Sequence, residues 1–434
     1  MRSSRWIVAW LVVVVLGSNK ASASTEINGL FDAQSGAMGG TGVAFLDSAA
    51  AIPTNPALLD QINKLALTLD AFVIVSQPEA PYTIYHLDQN GQRYQQYESV
   101  RSEPVAAVLP FLGGAYRILD RVVIGAAIYP VIGQGTSAQY KPAPDELPNL
   151  AATNEASMGL VEAGIPVSVR LLPNLSLSAM WRVNYMIQSV STPVPGGPPA
   201  GVLLDQNKNA INADIDVTGV DLTGFQLGVF YKPLRWLRLG FSYRSKVVVE
   251  GEGTTTTKNP IGGATIELKT QSGFTNPHAF RAGFAVTTLS DKLLLAADFK
   301  YLLYAEAYKE ILTTTYRNGV ATTTPRPAYW RNCLNVQLGA EYKLGEVWKL
   351  RAGYIMAQSA TTEEYAQQFM APPGVSHLVS AGFGIAALDS LSIDFGAAYV
   401  VLSSYIDTAT EFNSGVGTYA SHAGEFSLSA TYRL

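Results

Sequence analysis

The strongest constraint in this sequence is a long series of segments in which apolar and polar residues alternate one by one. In the last of them, Phe426, Leu428, Ala430, Tyr432 and Leu434 alternate with polar residues. Successive side chains of a β-strand point to opposite faces, so each segment would have one apolar and one polar face. The chain is therefore predicted to be all-β. Fourteen such segments are predicted at 64–76, 103–117, 121–136, 156–171, 174–190, 218–232, 235–252, 275–289, 292–310, 329–344, 347–360, 375–388, 391–406 and 421–434.

The length of these segments points to a membrane rather than to a soluble sheet. Most exceed the roughly five or six residues usual in soluble strands and reach the roughly 9–11 residues that a tilted strand needs to cross a bilayer. Only 15% of the residues are charged, against about 25% in soluble proteins. Beyond the first two dozen residues, no apolar run reaches the roughly 18 residues of a membrane helix, which excludes a multi-helix membrane protein.

The connections between the predicted strands alternate in length. Links from odd to even strands are long and polar, as at 77–102, 191–217, 253–274 and 311–328. Links from even to odd strands are tight turns, at 119–120, 173–174, 233–234, 290–291, 345–346 and 389–390. Short turns at one end, long loops at the other and an even strand number are typical of bacterial outer-membrane barrels. The sequence thus predicts a 14-stranded antiparallel transmembrane β-barrel over residues 64–434, with both chain ends on the periplasmic side.

The first residues have the pattern of an export signal. Arg2 and Arg5 precede an apolar stretch from Trp6 to Leu16, and the small residues Ala21 to Ala23 follow. This order is typical of a secretory signal peptide, predicted here as residues 1–23, and the apolar stretch is too short for a membrane anchor. Bacterial export and a barrel together predict the outer membrane.

Residues 24–63 do not resemble a strand. They are small and rich in glycine, with the stretch Ser35 to Gly42 and the element Asn55-Pro56-Ala57. A barrel of fourteen strands encloses more volume than its inward side chains fill, so we predict that this segment is a hatch, a plug inside the lumen. The alternative is a flexible tail, which would leave Phe31, Phe45 and Leu58 poorly used. Asn55 is expected to stabilise the segment by capping nearby backbone.

Several of these elements together resemble the FadL/TodX family of outer-membrane transporters for long-chain fatty acids and other hydrophobic compounds. The glycine-rich stretch that ends in Asn55-Pro56-Ala57 is similar to the hatch of that family. The strand Gly240 to Ser245 is similar to its YRS strand, and segments 338–342, 350–354 and 380–384 are similar to its late strands. The resemblance covers nearly the whole mature chain. It implies a fourteen-stranded barrel with an N-terminal hatch.

The resemblance also implies a route for the solute. A hydrophobic compound would be captured near the outer loops, pass to an internal site gated by the hatch, and escape sideways through a gap beside a kinked third strand. The third strand of this chain contains Pro130, Gly133 and Gly135. Proline removes a backbone donor and glycine favours bulges, so these residues are expected to interrupt pairing with a neighbour. The alternative is a bulge without an opening.

Candidate substrate-binding residues are those predicted to face the lumen. An arginine could meet an anionic ligand, or it could pair with lumen acids or hold the hatch. Apolar inward residues are unusual in a water-filled porin and could line an apolar path, or they could contact the hatch. These candidates are Arg182, Arg244, Arg351, Met180, Met186 and Phe230.

Other classes of function are less well supported by the residues. A general diffusion porin would not need a hatch, and an outer-membrane hydrolase would need a nucleophile and a base in reach of each other. The four histidines lie apart without a partner motif, and Cys333 is the only cysteine. No catalytic residue, metal or cofactor is predicted. The expected partners are a hydrophobic ligand, outer-membrane lipid with lipopolysaccharide, and the barrel-assembly machinery, with no nucleic acid.

Overall fold

The fold is described by a computed structural model that covers residues 31–260, 263–368 and 372–434. The predicted signal peptide, residues 1–23, lies outside the described residues. Nineteen strands are present in this part of the chain. They are β1 (Leu65–Leu87), β2 (Arg93–Arg101), β3 (Val105–Leu119), β4 (Val122–Tyr140), β5 (Ala152–Leu172), β6 (Leu175–Pro193), β7 (Asn212–Leu234), β8 (Leu237–Arg244), β9 (Val247–Lys258), β10 (Thr265–Asn276), β11 (Ala279–Thr288), β12 (Leu293–Leu302), β13 (Glu310–Arg317), β14 (Val320–Pro327), β15 (Cys333–Leu344), β16 (Trp348–Gln358), β17 (Val375–Leu388), β18 (Leu391–Ile406) and β19 (Gly417–Arg433).

These strands form one closed antiparallel barrel with fourteen strands in its wall. β8 and β9 together make the seventh wall strand, which is broken at residues 245–246, and β10 and β11 make the eighth, which is broken at 277–278. The barrel closes where β1 pairs with β19 over fourteen residues, from Ala66 opposite Arg433 to Glu79 opposite Ala420. Closure pairs the first and last strands of the sheet, whose edges would otherwise face lipid without hydrogen-bond partners.

The predicted strand number and the position of the short turns are confirmed, and several boundaries are corrected. The turn predicted at 233–234 lies at 235–236. The strand predicted at 292–310 ends at Leu302, where the short helix α3 (Tyr304–Ala307) follows. The outer loops contain structure that the sequence analysis treated as loop, since β2 extends a hairpin with β1, and β13 pairs with β14. Backbone hydrogen bonding favours such hairpins wherever a long polar connection can double back.

The two faces of the wall differ as the alternation predicts. Along β1, Thr68, Asp70 and Ser76 are buried inside, while Leu67 and Leu69 are exposed on the outside. Large apolar side chains are exposed around the barrel, and near its short-turn end they include the outward tyrosines Tyr116, Tyr231, Tyr342 and Tyr432. An apolar outer band with aromatic residues at its border matches the surface that lipid contacts.

Residues 31–63, called here the N-terminal segment, lie inside the barrel. They form the short helix α1 (Ala33–Ala37), the short helix α2 (Ala51–Thr54) and a 3₁₀ helix (Pro56–Gln61). Asp32 caps α1 by accepting from the backbone N–H of Ser35 at 2.7 Å. Nearly all of the segment is buried, and it shares one apolar cluster with inward residues of the wall. Within the described residues, none of the helices has the length and apolar character to span a membrane.

Candidate functional site

Backbone and side-chain hydrogen bonds fix the N-terminal segment to the inner wall. Asp298 on β12 accepts from the backbone N–H groups of Gly42 and Val43 at 2.9 and 3.0 Å. On β17, the Ser380 hydroxyl donates to the Ala37 carbonyl at 3.1 Å and accepts from the Gly39 N–H at 3.0 Å. These bonds satisfy backbone groups that would otherwise be buried without partners.

Glycines on seven wall strands let the segment approach the wall backbone. A Cβ atom at Gly240 would lie 2.0 Å from the Val43 carbonyl oxygen, and one at Gly353 would lie 2.0 Å from the Gly39 nitrogen. Both distances are far below van der Waals contact. The wall glycines at which an added Cβ would lie within 3.0 Å of the segment are Gly228, Gly240, Gly283, Gly339, Gly353, Gly382 and Gly396. Because these glycines have no side chain, the inner wall has room for the backbone of the segment.

The predicted Asn55-Pro56-Ala57 element begins the 3₁₀ helix. The Asn55 side-chain oxygen accepts from the Ala57 N–H at 3.2 Å, and Pro56 occupies the first helical position. The Asn55 amide also donates to the Val43 carbonyl at 2.9 Å and to the Val229 carbonyl of β7 at 3.0 Å. Asn55 thus joins two parts of the segment to each other and to the wall, in keeping with a structural role.

The end of the segment is held by charged side chains near the short-turn end. Arg117 donates to the carbonyls of Asp60 and Ile62, both at 2.7 Å. The Asp60 carboxylate accepts from Arg170 and from Ser176, both at 2.8 Å. This set was not anticipated from the sequence, because its members are more than fifty residues apart from Asp60.

Two of the predicted arginines share one buried carboxylate. Glu162 on β5 accepts from Arg182 Nε at 2.8 Å and from Arg244 Nη2 at 2.9 Å, and Glu162 and Arg182 are fully buried. Arg244 also donates to the Pro53 carbonyl of the N-terminal segment at 3.2 Å. Pairing with a lumen acid and holding the segment, the alternatives raised for these arginines, are both present. Their contact with solute stays a prediction.

The third predicted arginine belongs to a separate cluster. Arg351 donates to Glu341 at 2.8 Å and to Asp394 at 2.7 Å, and its side chain is almost completely buried. Glu341 also accepts from Gln34 of the segment at 3.1 Å. Removing one partner of a buried ion pair costs about 3–5 kcal/mol, so loss of any one of these charges would destabilise the packed arrangement. For Arg351, too, ligand contact stays a prediction.

The predicted apolar residues Met180, Met186 and Phe230 are all buried in the cluster that contains the N-terminal segment. Met180 lies beside Gly164, where an added Cβ would be 2.8 Å from its sulfur. Met186 lies beside Gly251, where an added Cβ would be 2.5 Å from its methyl carbon. Flexible thioether side chains fill such irregular gaps well. Their contact with solute stays a prediction.

A cavity of about 420 Å³ lies in the outer half of the barrel. Its volume is within the roughly 300–1,000 Å³ of small-molecule sites. Apolar side chains from strands and from the β13–β14 hairpin line it, and its polar neighbours include Arg326 and three glutamines. Arg326 donates to Gln367 at 2.7 Å. The apolar lining residues include Met158, Ile215, Phe274, Ile311 and Trp330.

Most of this cavity could not be predicted from the sequence. None of the six predicted substrate-binding residues is among the described residues that line it, whereas Gly135, predicted at the gap, is. Several lining residues come from the outer loops, whose packing against the barrel no periodic pattern reveals. The cluster of aromatic residues between 304 and 330 is the one sequence signal that could have pointed to it.

The wall is interrupted between β3 and β4. Their pairing runs from Leu119 to Leu112, which lies opposite Ile128, and no residue of β3 from Val105 to Phe111 pairs with β4. β3 remains paired with β1 over this stretch, and β4 remains paired with β5 with a bulge between Pro130 and Ile132. The chains meet again farther out, where the Glu103 N–H donates to the Ser137 carbonyl at 3.0 Å.

The three residues predicted at a gap lie on β4 along this interruption. Pro130 marks the bulge, and a Cβ at Gly133 would lie 3.1 Å from a methyl carbon of Leu109, which faces it from β3. The side chain of Leu109 therefore lies between β3 and β4, where the two strands are not paired. Tyr129, which the sequence analysis missed, lies where β4 leaves β3, and its ring contacts Phe31 of the N-terminal segment, with centroids 5.2 Å apart.

Comparison with known proteins agrees with this architecture. The family model described as outer membrane protein transport protein (OMPP1/FadL/TodX) matches residues 14–433. Among individually curated proteins, none matches this sequence at a significant level.

Solved structures show the same fold at low sequence identity. A Pseudomonas aeruginosa FadL homologue is 18% identical with a TM-score of 0.75, covering 96% of this chain and 99% of its own. The P. putida toluene transporter TodX is 19% identical with a TM-score of 0.71 over 93% and 98% of the two chains. The Ralstonia pickettii toluene transporter TbuX is 18% identical with a TM-score of 0.66 over the same shares. Because the family model spans nearly the whole sequence, the chain belongs to the FadL/TodX family of outer-membrane transport proteins.

Proposed function

We propose that the protein takes up hydrophobic small molecules across the outer membrane and releases them sideways into the bilayer. The observation that supports this most directly is the interruption between β3 and β4 beside the cavity. Gly135 and Thr136 line the cavity on the same strand that carries Pro130 and Gly133. A buried apolar cluster containing Phe274, Leu160 and Ile132 extends from the cavity to this strand.

The lining of the cavity favours a solute that is mostly apolar. Each CH₂ group removed from water contributes about 0.8 kcal/mol, so the apolar residues of the cavity can capture a chain or a ring. Arg326 and Gln367 would face any single polar or anionic end. Long-chain fatty acids and hydrocarbons both meet this description. Arg182, Arg244 and Arg351 remain candidates for later contact, because displacement of the N-terminal segment would uncover them.

In this proposal the N-terminal segment acts as a hatch. Its residues fill the bore on the side of the short turns, so water and ions would not pass while it is in place. Residues 24–63 would form the hatch, and residues 1–23 would be a signal peptide removed on export. The terminal strand carries an aromatic residue, Tyr432, two positions before the apolar last residue, Leu434. This resembles the C-terminal signal that outer-membrane barrels present to the barrel-assembly machinery, and the strand would serve as that signal here. No step of this route requires catalysis.

A reversible cross-link across the interruption tests the lateral route. Leu109→Cys with Gly133→Cys, in a Cys333→Ser background, places one thiol on each side, since Leu109 Cγ lies 3.9 Å from a Cβ at 133. Uptake is measured with a radiolabelled fatty acid and with radiolabelled toluene. Oxidation should abolish uptake of whichever compound the unmodified protein transports, and reduction should restore it. The matched control is Tyr116→Cys with Ile124→Cys, a cross-strand pair in the intact wall. Full uptake by the oxidised Leu109–Gly133 variant would overturn the lateral route.

The porin alternative predicts a different electrical behaviour. Planar-bilayer recordings of the full chain should show little steady ion conductance if the segment closes the bore. A large and stable conductance in the wild-type protein would favour a general diffusion porin over the proposed function.

A further inference from the structure

Glu162 connects the N-terminal segment to the wall strand that borders the interruption. It is fully buried on β5, and no sequence motif marks it. Its Oε2 atom accepts from Arg182 Nε at 2.8 Å and from Arg244 Nη2 at 2.9 Å. Its Oε1 atom accepts a short hydrogen bond from the hydroxyl of Tyr129. One carboxylate therefore holds partners from β4, β6 and β8.

The Arg244 side of this network reaches the N-terminal segment at the end of α2. Arg244 Nη1 donates to the Pro53 carbonyl at 3.2 Å and to Gln226 at 3.1 Å. The Gln226 amide donates to the carbonyls of Pro53 and Thr54, both at 3.3 Å. Withdrawal of the segment would leave these donors without their carbonyl partners, so they would reorient.

The Tyr129 side reaches the interruption itself. Ile128 is the last residue of β4 that pairs with β3, and Tyr129 and Pro130 follow at the bulge. The Tyr129 ring also stacks against Phe111 of β3, with centroids 6.0 Å apart. β4 thus separates from β3 at Tyr129, and the hydroxyl of Tyr129 is hydrogen-bonded to Glu162.

We propose that Glu162 is a positioning residue that couples the N-terminal segment to the β3–β4 interruption, so that displacement of the segment changes the width of the interruption. A buried carboxylate is costly unless its hydrogen bonds are satisfied. When Arg244 follows Pro53, Glu162 must therefore rearrange, and Tyr129 with it. This inference rests on the proposed lateral route, because it assigns the interruption a variable width.

Spin labels on the outer face can measure that width. In a Cys333→Ser background, Val108→Cys on β3 and Val161→Cys on β5 lie on opposite sides of the interruption, while Leu112→Cys and Ile165→Cys report on wall below it. Gly240→Ala displaces the segment, because its Cβ would lie 2.0 Å from the Val43 carbonyl oxygen. Gly240→Ala should shift the 108–161 distance and leave the 112–165 distance unchanged.

The coupling predicts that this shift is lost when the network is cut. Tyr129→Phe removes one hydroxyl and keeps the ring, and Glu162→Gln removes the charge; in either background Gly240→Ala should no longer change the 108–161 distance. Tyr82→Phe is the matched control, a buried tyrosine outside the network whose hydroxyl accepts from Asn154 at 3.3 Å. Should Glu162→Gln fail to fold, Tyr129→Phe still decides the question.

Two results would overturn the coupling: an equal shift in the Tyr129→Phe background, or no shift with Gly240→Ala alone. The cross-link from Leu109 to Gly133 keeps this failure separate from failure of the route. If oxidation of that pair blocks uptake while the distances are independent of Tyr129, the lateral route stands and the coupling through Glu162 is wrong.

Discussion

At the scale of single residues, the N-terminal segment is held by groups whose chemistry is specific and whose number is small. Asn55 makes hydrogen bonds to three backbone groups, and the wall glycines remove the side chains that would keep the segment away. The Asn55 carboxamide holds the segment by hydrogen bonds, whereas the glycines leave room for its backbone. Both can be tested by single substitutions.

Asn55→Ala should loosen the N-terminal segment without unfolding the barrel. The substitution leaves the buried carbonyl of Val43 and the partly buried carbonyl of Val229 without the Asn55 donor, at a cost of about 1–3 kcal/mol. Amide hydrogen exchange in residues 31–63 should accelerate by about 5–150-fold, the equivalent of that energy. Asn90→Ala, in an exposed turn, is the control. Unchanged exchange in Asn55→Ala would show that the capping bonds contribute little.

Gly240→Ala should open the bore to ions. The added methyl group cannot coexist with the Val43 carbonyl at its present position, so the segment must move. We expect a steady conductance in planar bilayers that the wild type lacks. Gly424→Ala is the matched control, since its nearest neighbour would be 3.7 Å away. A closed bore in the Gly240→Ala variant would contradict the close approach described for this glycine.

At the scale of elements, the β3–β4 interruption follows from the composition of one strand. Pro130 cannot donate to a neighbouring strand, and the glycines after it carry no side chain to pack across the wall. The sequence could therefore predict a break in this strand. It could not predict which neighbour is lost, because that depends on the register of β4 with β3 and β5.

The β1–β2 hairpin outside the membrane contains a pH-sensitive contact. Hydrogen bonding to Glu98 at 2.8 Å, and then to Asp145, raises the pKa of His86 above its ordinary value. Because the pKa of His86 is higher in the folded hairpin than in the unfolded chain, protonated His86 stabilises the hairpin. This stabilisation is fully present below about pH 6.5 and is lost as the pH rises through the folded-state pKa.

Limited proteolysis can detect this contact. Cleavage by trypsin after Arg93 should be slower in the wild type than in His86→Phe at pH 6, and the two rates should converge as the pH rises through the folded-state pKa of His86. Phenylalanine keeps the stacking with Tyr94 and removes the charge, and comparing the variants at each pH cancels the pH dependence of trypsin. A rate ratio that does not change with pH would contradict the assignment.

At the scale of the whole molecule, the N-terminal segment depends on the barrel wall for its contacts, whereas the wall does not depend on the segment for its closure. The wall is closed by its own strand pairing, from β1 to β19, and this pairing begins at Ala66. The segment makes its contacts with the inner wall and lies buried there. The barrel should therefore fold without the segment.

Deletion of residues 31–63 should yield a folded, open barrel. Heat-modifiable migration on gels should persist, because closure is unaffected, and conductance should exceed that of Gly240→Ala, since the whole obstruction is gone. The buried charges, including Glu162 and Arg351, would become hydrated, which removes any need for partners from the segment. Loss of heat-modifiable migration would show that the segment is required for the barrel itself.

The sequence alone determined the barrel. Alternation of period two and the lengths of turns are local properties, so fourteen crossing segments and the end with the short turns could be predicted from neighbouring residues. The glycine-rich stretch was predicted to lie in the lumen because a barrel of fourteen strands encloses more volume than its inward side chains fill. Arg182, Arg244 and Arg351 were correctly expected to face the lumen.

Only the tertiary structure decided what those residues contact. Glu162 and Arg244 are eighty-two positions apart, and they meet because the registers of β5, β6, β7 and β8 bring them to one point of the lumen. The cavity is likewise built from strands and loop residues far apart in the chain. Register around a closed barrel depends on all its strands at once, so no local pattern contains it.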